Sequence, residues 1–290
     1  MSTAESRLSI HMAREVSADA PQADATAPMA PGPLTTLSNE HLKVDIAAQA
    51  GGRIAQITYR GVEQLIGPGD GTPAMIAWGS YPMVPWAGRV RRGRFGFSGG
   101  DYQLPLNLGT HAIHGVAFGT PWRIDAHTKH RAELSLSLPQ DARWPFGGIA
   151  RQAIEVNQQR VEMKLSLQAE ADAMPAVIGW HPWFRKPDRI EFTPSAYYPR
   201  DHEGISTLPL APPPPAPWDD CFINETEVIT HRAGQKLRLT SNCNHWVVYD
   251  ETQHATCIEP QTGPPDAFNL EPKVLLPGET LEAWFLLEWI

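Results

Sequence analysis

Four short segments of the chain carry side chains that can bind or move protons. In the segment IGWHPWF (residues 178–184), His181 lies between Trp180 and Trp183. The proline that follows His181 favours an extended backbone at the histidine. The aromatic residues could form the apolar walls of a pocket, and such walls suit the C–H faces of a sugar ring. The alternative is a buried histidine that only fills an aromatic core.

A candidate base lies in the segment CIEPQTGPPDAFN (residues 257–269). Glu259 follows Cys257 and Ile258 in an apolar context rich in proline. A carboxyl group removed from water in such a context has a raised pKa, and it can act as a general base near neutral pH. The alternative is a surface glutamate beside a turn.

Arginines cluster in the segment YPMVPWAGRVRRGRF (residues 81–95). Four of them fall within six residues: Arg89, Arg91, Arg92 and Arg94. If the segment is one strand, Arg89 and Arg91 share one face and the other two arginines share the opposite face. An exposed basic strand is the simpler interpretation. The alternative is that Arg89, next to Gly88, points into a pocket and donates hydrogen bonds to a polar ligand.

Two histidines three residues apart, His111 and His114, lie in the segment NLGTHAIHGVAFG (residues 107–119). No third or fourth ligand stands at a spacing typical of zinc sites, so we predict no metal there. Gly115, directly after His114, would let a ligand approach the backbone. His114 is therefore a candidate binding residue, and a purely structural histidine is the alternative.

The segment WDDCF (residues 218–222) adds two adjacent acids, Asp219 and Asp220. Either carboxylate could accept hydrogen bonds from ligand hydroxyl groups, or it could cap a turn. The sequence shows no glycine-rich phosphate loop, no Gly-x-Ser-x-Gly nucleophile elbow and no His-Glu-x-x-His motif. Nucleotide binding and covalent catalysis through serine are therefore disfavoured.

Composition disfavours several classes of partner. The formal net charge of −8 argues against binding to nucleic acids or to anionic membrane surfaces. No apolar run approaches the ~20 residues of a membrane-spanning helix, and the first residues lack the apolar core of a signal peptide. The three cysteines, Cys221, Cys243 and Cys257, fit free thiols in a reducing compartment. We therefore expect a cytoplasmic protein.

The elements that would hold these residues have the period of β-strands. Apolar and polar residues alternate in VEMKLSL (161–167), ELSLSL (133–138) and HWVVY (245–249). Such alternation places one face of a strand inward and the other outward. With 28 prolines and 23 glycines, few windows could hold an amphipathic helix. The sequence therefore predicts an all-β fold, with a large antiparallel β-sandwich as its architecture.

Composition divides the chain once. Residues 1–34 are rich in Ala, Pro, Ser and Asp, and we predict that they form a disordered tail. Residues 35–290 look uniform and are predicted to form a single β-sandwich domain. The proline-rich stretch LPLAPPPPAPW (208–218) is predicted to be a stiff loop within that domain.

Five segments, in their order along the chain, resemble motifs of the aldose 1-epimerase (galactose mutarotase) family: AGRVRRGRF, HAIHGVAFGTPW, GWHPWF, WDDCF and EPQTGPPDAFN. The resemblance covers about residues 37–290. It implies a large β-sandwich that binds a sugar in a shallow cleft on one sheet. It also implies an isomerase that interconverts the α and β anomers of a free aldose. A monosaccharide would be its partner, and it would need neither a metal nor an organic cofactor.

The resemblance implies roles for the polar residues of these motifs. Glu259 resembles the base that takes the proton of the C1 hydroxyl, and His181 resembles the acid that protonates the ring oxygen. His114 and Arg89 resemble the groups that bind and polarise the sugar around that oxygen. A glutamate and a histidine with pKa values near the working pH can open and close the ring and exchange roles for the reverse step.

Asp219 resembles the acceptor of sugar hydroxyls, and Asp220 beside it is the alternative. We expect one of Trp180 and Trp183 to stack on the sugar, and Trp183 is the binding candidate. Many family members carry Asn or Thr before the His-Pro pair and Tyr after it, where this chain has Gly179, Trp180 and Trp183. These changes alter the walls of the site, so they bear on the preferred sugar more than on the reaction. The assembly is expected to be a monomer or a homodimer.

Two alternatives share the same fold. A hexose-6-phosphate 1-epimerase would use the cluster of Arg91, Arg92 and Arg94 to bind a phosphate. A non-catalytic carbohydrate-binding module would bind sugar on the same sandwich without chemistry. A glycosidase is less well supported, because that chemistry needs two suitably spaced carboxylates and Glu259 is the one clear candidate.

Overall fold

A computed structural model of the protein describes residues 22–290. Almost all of its regular structure is β-strand. The first strands are β1 (Thr35–Ser38), β2 (Leu42–Ala47), β3 (Arg53–Tyr59), β4 (Val62–Glu63), β5 (Ser80–Met83), β6 (Arg89–Val90), β7 (Arg94–Phe97), β8 (Gly100–Gln103), β9 (Ala112–Ile113), β10 (Arg123–His127), β11 (Arg131–Ser137) and β12 (Ile149–Asn157). The later strands are β13 (Arg160–Gln168), β14 (Met174–Pro175), β15 (Gly179–Arg185), β16 (Arg189–Glu191), β17 (Ala196–Tyr198), β18 (Asp219–Ile223), β19 (Val228–Arg232), β20 (Gln235–Ser241), β21 (His245–Tyr249), β22 (Ala255–Gln261), β23 (Val274–Leu275) and β24 (Thr280–Trp289).

Helical structure is short. The helices are α1 (Ala267–Leu270) and the 3₁₀ turns Met75–Ala77, Arg91–Gly93 and Ala117–Gly119. Among residues 22–290, no helix has the length and apolarity needed to cross a membrane.

Two large antiparallel sheets form the body of the protein. The ten-stranded sheet has the order β1-β2-β3-β5-β15-β22-β21-β18-β17, with β4 paired to β3. The eight-stranded sheet has the order β10-β11-β12-β13-β24-β20-β19-β16. The predicted all-β fold with a large antiparallel β-sandwich is therefore confirmed.

The apolar core lies between the two sheets, and the period-two pattern of the strands builds it. In β13, buried positions alternate with more exposed ones, so that Val161, Met163, Leu165 and Leu167 all face the core. Burial of one such side chain contributes about 1.5–3 kcal/mol. Trp180 of β15 crosses the interface: its indole donates a hydrogen bond of 3.0 Å to Gln152 of β12.

The arginine-rich segment does not form the single strand that the sequence analysis considered. β6 ends at Val90, a 3₁₀ turn follows, and β7 begins at Arg94. Arg92 has a φ of 51° within that turn. At Gly93, where φ is 65°, a Cβ atom would lie 2.5 Å from the carbonyl oxygen of Leu104. The close approach requires glycine and turns the chain, so the predicted sharing of faces among the arginines is wrong.

Part of the predicted tail is packed against the sandwich. Ala25 is fully buried, and its N–H donates a hydrogen bond of 2.8 Å to the carbonyl of Asn107. Pro28 forms a β-bridge with Ala74, and Met29 packs against the core. Residues 22–34 thus extend the packed region before the boundary predicted from composition, because small apolar residues there find buried neighbours. The prediction of disorder for residues 1–21 lies outside the described residues.

Candidate active site

The candidate site lies on the face of the ten-stranded sheet opposite to the one from which Trp180 reaches the eight-stranded sheet. His181 of β15 is opposite Tyr81 of β5, and Trp183 of β15 is opposite Cys257 of β22. Partners in register project to the same side of a sheet, and so do residues two apart on one strand. Glu259, two residues after Cys257, therefore lies on the same face as His181. Strand order alone brings the predicted acid and base onto neighbouring strands.

His181 and Glu259 form a buried contact pair. The Nε2 atom of His181 lies 3.2 Å from a carboxylate oxygen of Glu259. Their side chains are 7% and 3% exposed, so each touches solvent only at its edge. The two residues predicted to exchange protons with a ligand are therefore adjacent and open at one side.

The imidazole of His181 is one layer of a continuous stack. Its ring stacks on Tyr81 at 4.8 Å between centroids, and on Trp183 at 5.5 Å on the other side. Beneath Tyr81, the guanidinium of Arg53 lies 4.9 Å from the tyrosine ring and 4.3 Å from Trp78. The sandwich between two aromatic rings holds the plane of the imidazole and leaves its edge to face Glu259.

Arg53 is fully buried, and backbone carbonyls take the place of an acidic partner. Its guanidinium donates to the carbonyls of Ala50, Met75, Trp78 and Phe118 at 2.6 to 2.9 Å. Burial lowers the pKa of Arg53 to about 9, which still leaves it charged near neutral pH. A fixed positive charge therefore lies two rings below His181.

His114 borders the pair from a loop after β9. Its ring lies 4.9 Å from that of His181 at an angle of 87°. The Nδ1 atom accepts a hydrogen bond of 3.3 Å from the N–H of Gly88, which leaves the proton on Nε2. His114 has a φ of 59°, and Gly115 follows with a φ of 74° at a point where a Cβ atom would overlap the carbonyl of Val84. Glycine is required there to bring the histidine against β5.

Burial shifts the proton affinities of the pair in opposite directions. It raises the pKa of Glu259 well above its ordinary value, and the nearby charge of Asp219 raises it further, while Arg89 opposes the shift. Burial lowers the pKa of His181 to about 3, and Arg53 adds to the effect. Burial also lowers the pKa of His114, with His181 and Arg89 contributing. The site thus favours the neutral forms of all three groups.

The pairing register of β18 places the adjacent residues Asp219 and Asp220 on opposite faces of the sheet. Asp219 is opposite Tyr249, and Tyr249 is opposite Cys257, so Asp219 shares the face of the catalytic candidates. Asp220 is opposite Val248 on the other face. Both carboxylates accept hydrogen bonds from Arg200. The face of the sheet therefore favours Asp219 over Asp220 as the residue that can reach a ligand there.

The arginines of the rim differ in their partners. Arg91 forms ion pairs with Asp201 at 2.5 Å and Glu203 at 2.6 Å, and Arg92 pairs with Glu203 at 2.9 Å. Within residues 22–290, the guanidinium of Arg89 has no carboxylate within 4.0 Å. Its charge is close enough to Glu259 and His114 to lower the pKa of each, which favours a position at the border of the site. Arg89 is thus the arginine of the cluster that is available to a ligand.

Most of the predicted site residues are brought together, and three further residues join them. Tyr81 and Arg53 belong to the stack under His181, and Arg200 holds Asp219. No local pattern singles them out, because each is defined by strand pairing between distant parts of the chain. The sulfur of Cys257 also lies within 4.8 Å of a ring nitrogen of His181 and a carboxylate oxygen of Glu259, the one group of this kind in the described residues.

The family assignment follows from a match over most of the chain. A model of the family described as aldose 1-epimerase matches residues 33–288, and the chain belongs to that family. Among proteins of known sequence, it is 29% identical over 172 residues to the uncharacterized protein YphB of Escherichia coli K12, a match covering 56% of each chain. A second match, to the uncharacterized protein YihR of the same organism, is 26% identical and covers 46% of this chain and 44% of that protein. The chain thus spans about half the length of these two relatives.

Solved structures share the fold over nearly the whole chain. A GalM/aldose epimerase homologue from Caenorhabditis elegans superposes with a TM-score of 0.77 at 14% identity, covering 89% of this chain and 98% of that one. Galactose 1-epimerase from Lactobacillus acidophilus superposes with a TM-score of 0.74 at 17% identity, covering 89% and 94%. At such low identity these likenesses establish the galactose mutarotase-like architecture.

Proposed function

We propose that this protein is an aldose 1-epimerase that interconverts the α and β anomers of an uncharged free aldose. The observation that carries the proposal is the buried pair of His181 and Glu259, with 3.2 Å between Nε2 and the carboxylate. Both groups lie on the same sheet face and retain a small exposed fraction, and His114 and Arg89 border them. Membership of the aldose 1-epimerase family supports the same reaction.

Ring opening requires two proton transfers. Glu259, as the carboxylate, accepts the proton of the C1 hydroxyl. His181, as the imidazolium, donates a proton to the ring oxygen while the bond between C1 and that oxygen breaks. The product is an open-chain aldehyde, with a protonated Glu259 and a neutral His181. Rotation about the C1–C2 bond then presents the other face of the carbonyl, and the reverse transfers close the ring.

The buried environment favours both transfers. A raised pKa makes the Glu259 carboxylate a stronger base, and a lowered pKa makes the His181 imidazolium a stronger acid. The opened sugar leaves both groups in the neutral forms that burial stabilises. In the active state, His181 and Glu259 together hold one proton. Activity should fall at low pH, where both groups are protonated, and at high pH, where neither is. The resulting bell-shaped profile has two apparent pKa values, and these describe the coupled pair.

Other residues would hold the sugar. Arg89 is free of carboxylate partners in the described part of the chain, and with the Nε2–H of His114 it can donate to the ring oxygen and its neighbours. Asp219 can accept from a hydroxyl group while Arg200 keeps its carboxylate in place. Trp183 lies on the site face with 8% of its surface exposed, and it offers an apolar edge to the sugar ring.

The ion pairs of the rim favour an uncharged sugar over a hexose 6-phosphate. Arg91 and Arg92, two of the arginines that the phosphate hypothesis relied on, are neutralised by Asp201 and Glu203. A phosphate that bound them would have to displace those carboxylates. We therefore expect faster catalysis with glucose or galactose than with glucose 6-phosphate in parallel assays.

Polarimetry tests the proposal. The protein should accelerate the decay of optical rotation of freshly dissolved α-D-glucose or α-D-galactose. Glu259→Gln keeps the size of the side chain and removes the base, and it should abolish the acceleration. Full activity of Glu259→Gln would reject the assigned base. Saturable sugar binding without acceleration by the unmodified protein would favour a non-catalytic carbohydrate-binding module.

A further inference from the structure

The candidate site contains one group that the proposed reaction does not use. Cys257 is fully buried and lies on the same sheet face as His181 and Glu259. Its sulfur, a ring nitrogen of His181 and a carboxylate oxygen of Glu259 all lie within 4.8 Å of one another. A thiol, an imidazole and a carboxylate therefore form one compact cluster in the site.

These three groups form a ligand set that suits zinc. Zinc binds thiolate, imidazole and carboxylate, and sites with three protein ligands leave a fourth position for water. Zinc bonds of about 2.0–2.3 Å place neighbouring ligands roughly 3.3–3.7 Å apart. His181 and Glu259 already lie 3.2 Å apart, and the Cys257 sulfur, within 4.8 Å of both, would have to move by up to roughly 1 Å to complete the set.

Neighbouring residues orient His181 and influence the charge of the three-residue ligand set. The rings of Tyr81 and Trp183 hold the imidazole of His181 so that Nε2 points at Glu259. A deprotonated Cys257 together with the Glu259 carboxylate would balance the two charges of a zinc ion. Burial raises the pKa of the Cys257 thiol well above its ordinary value, and the charges of Glu259 and Asp219 raise it further, so an ion that binds here must displace the thiol proton.

We propose that Zn²⁺, or another thiol-binding divalent cation, binds to His181, Cys257 and Glu259 and blocks the site. The bound ion would occupy both members of the acid–base pair, so it would compete with the sugar. The inhibitory half of this inference rests on the proposed function, while binding itself does not. The ion acts here as an inhibitor, and the epimerase reaction does not use it.

A spectroscopic titration tests the binding. Metal-free protein is titrated with Cd²⁺ or Co²⁺, and the charge-transfer band of a metal-bound thiolate is recorded in the ultraviolet. The unmodified protein should develop this band with a stoichiometry of one ion. Cys257→Ser and Cys257→Ala should lose it. Cys221→Ser should keep it, because Cys221 is a buried thiol on the same face that lies two strands from Glu259, or about 9.5 Å.

Inhibition provides the second measurement. Zn²⁺ should slow the mutarotation by the unmodified protein and by Cys221→Ser. It should inhibit Cys257→Ser at least about tenfold more weakly, because the softest of the three ligands is missing. The two Cys257 variants should retain most of the uninhibited activity, and thermal unfolding would confirm that they are folded.

The possible outcomes separate the two proposals. A band that persists in both Cys257 variants, or that is lost in Cys221→Ser, would overturn the assigned ligands. Absence of a band at millimolar Cd²⁺ in an active protein would reject the metal site and leave the epimerase intact. A band that depends on Cys257, in a protein without mutarotase activity, would support the metal site and reject the proposed function.

Discussion

Trp180 and Trp183 lie on the same strand, three residues apart, and face opposite sides of the ten-stranded sheet. The indole of Trp180 faces the core and donates to Gln152, whose own amide donates to the carbonyl of Gly52. On the other side, the fully buried Gln261 has no hydrogen-bond partner for either amide atom among residues 22–290. The inward polar groups of Trp180 and Gln152 are thus satisfied within the protein, whereas the outward indole of Trp183, like Gln261 on the neighbouring strand β22, has no partner among residues 22–290.

This difference shows how one alternating pattern builds both the fold and the site. The residues facing inward contribute to stability, and changes to them should mainly affect the free energy of unfolding. Under the proposed function, the residues facing outward contribute to chemistry, and changes to them should mainly affect catalysis or binding. Substitutions on the two faces of β15 and in the layers around His181 can test this division.

The largest expected effect is on catalysis. His181→Asn removes the acid and keeps a small polar side chain on the outer face. Its kcat should fall by roughly 10²–10⁴-fold, which is the usual contribution of a positioned acid or base. His231→Asn, in the eight-stranded sheet, should leave kcat unchanged in the same polarimetric assay. Equal losses in the two variants would contradict the assignment of His181.

The next effect is on stability. Trp180→Ala opens a large cavity between the sheets and leaves Gln152 without its donor. The free energy of unfolding should fall by about 3–5 kcal/mol, measured by chemical denaturation. At temperatures where the variant is folded, kcat should be close to that of the unmodified protein. A loss of kcat as large as that of His181→Asn would contradict the proposed separation of the two faces.

Trp183→Ala is the matched substitution on the outer face. It removes an edge against which the sugar can pack, so KM should rise about tenfold, corresponding to ~1.4 kcal/mol of lost binding. It also removes one of the two rings that hold the imidazole of His181, so kcat should fall, but by less than in His181→Asn. The loss of stability should be smaller than in Trp180→Ala, because part of the Trp183 ring already contacts solvent. If KM were unchanged and stability fell as in Trp180→Ala, Trp183 would be a core residue.

The smallest effect should be on the pH profile. Arg53→Met removes the charge that lowers the pKa of His181, so the pKa rises and the acid limb of the profile moves to higher pH. The two stacked layers place that charge on the order of 10 Å from the imidazole. At an effective dielectric constant of about 20, a unit charge at this distance changes the pKa of His181 by roughly one unit.

Arg53→Lys is the control for that shift. Both variants lose hydrogen bonds to backbone carbonyls and should be less stable, but lysine keeps the positive charge under Tyr81. The acid limb should therefore move in Arg53→Met and remain nearly in place in Arg53→Lys. Equal profiles in the two variants would show that Arg53 contributes only to packing.

Sequence reasoning predicted the elements well where local pattern decides them. Alternation in HWVVY corresponds to β21, and alternation in VEMKLSL corresponds to β13. It also nominated His181 and Glu259 as an acid–base pair, and the structure places the two side chains side by side. It was wrong about the arginine segment, because the turn at Gly93 depends on a close approach to Leu104 from outside that segment.

Features that depend on pairing between distant segments of the chain could not be predicted from the sequence. The choice between Asp219 and Asp220 depends on the register between β18 and β21. The ion pairs of Arg91 join residues about 110 positions apart, and they appear only when the loop after β17 is in place. The stack of Arg53, Tyr81 and His181 likewise comes from three separate strands, and no periodicity within one strand can reveal it.

The order of the central strands has a consequence for when the candidate site forms during folding. β5, β15 and β22 lie side by side, yet they begin at residues 80, 179 and 255. Pairings between such remote segments form slowly and late, because long loops must close before any contact forms. His181 and Glu259 can meet only after nearly the whole chain has left the ribosome. Recovery of sugar turnover during refolding should therefore mark the completion of folding, later than the first appearance of β-structure.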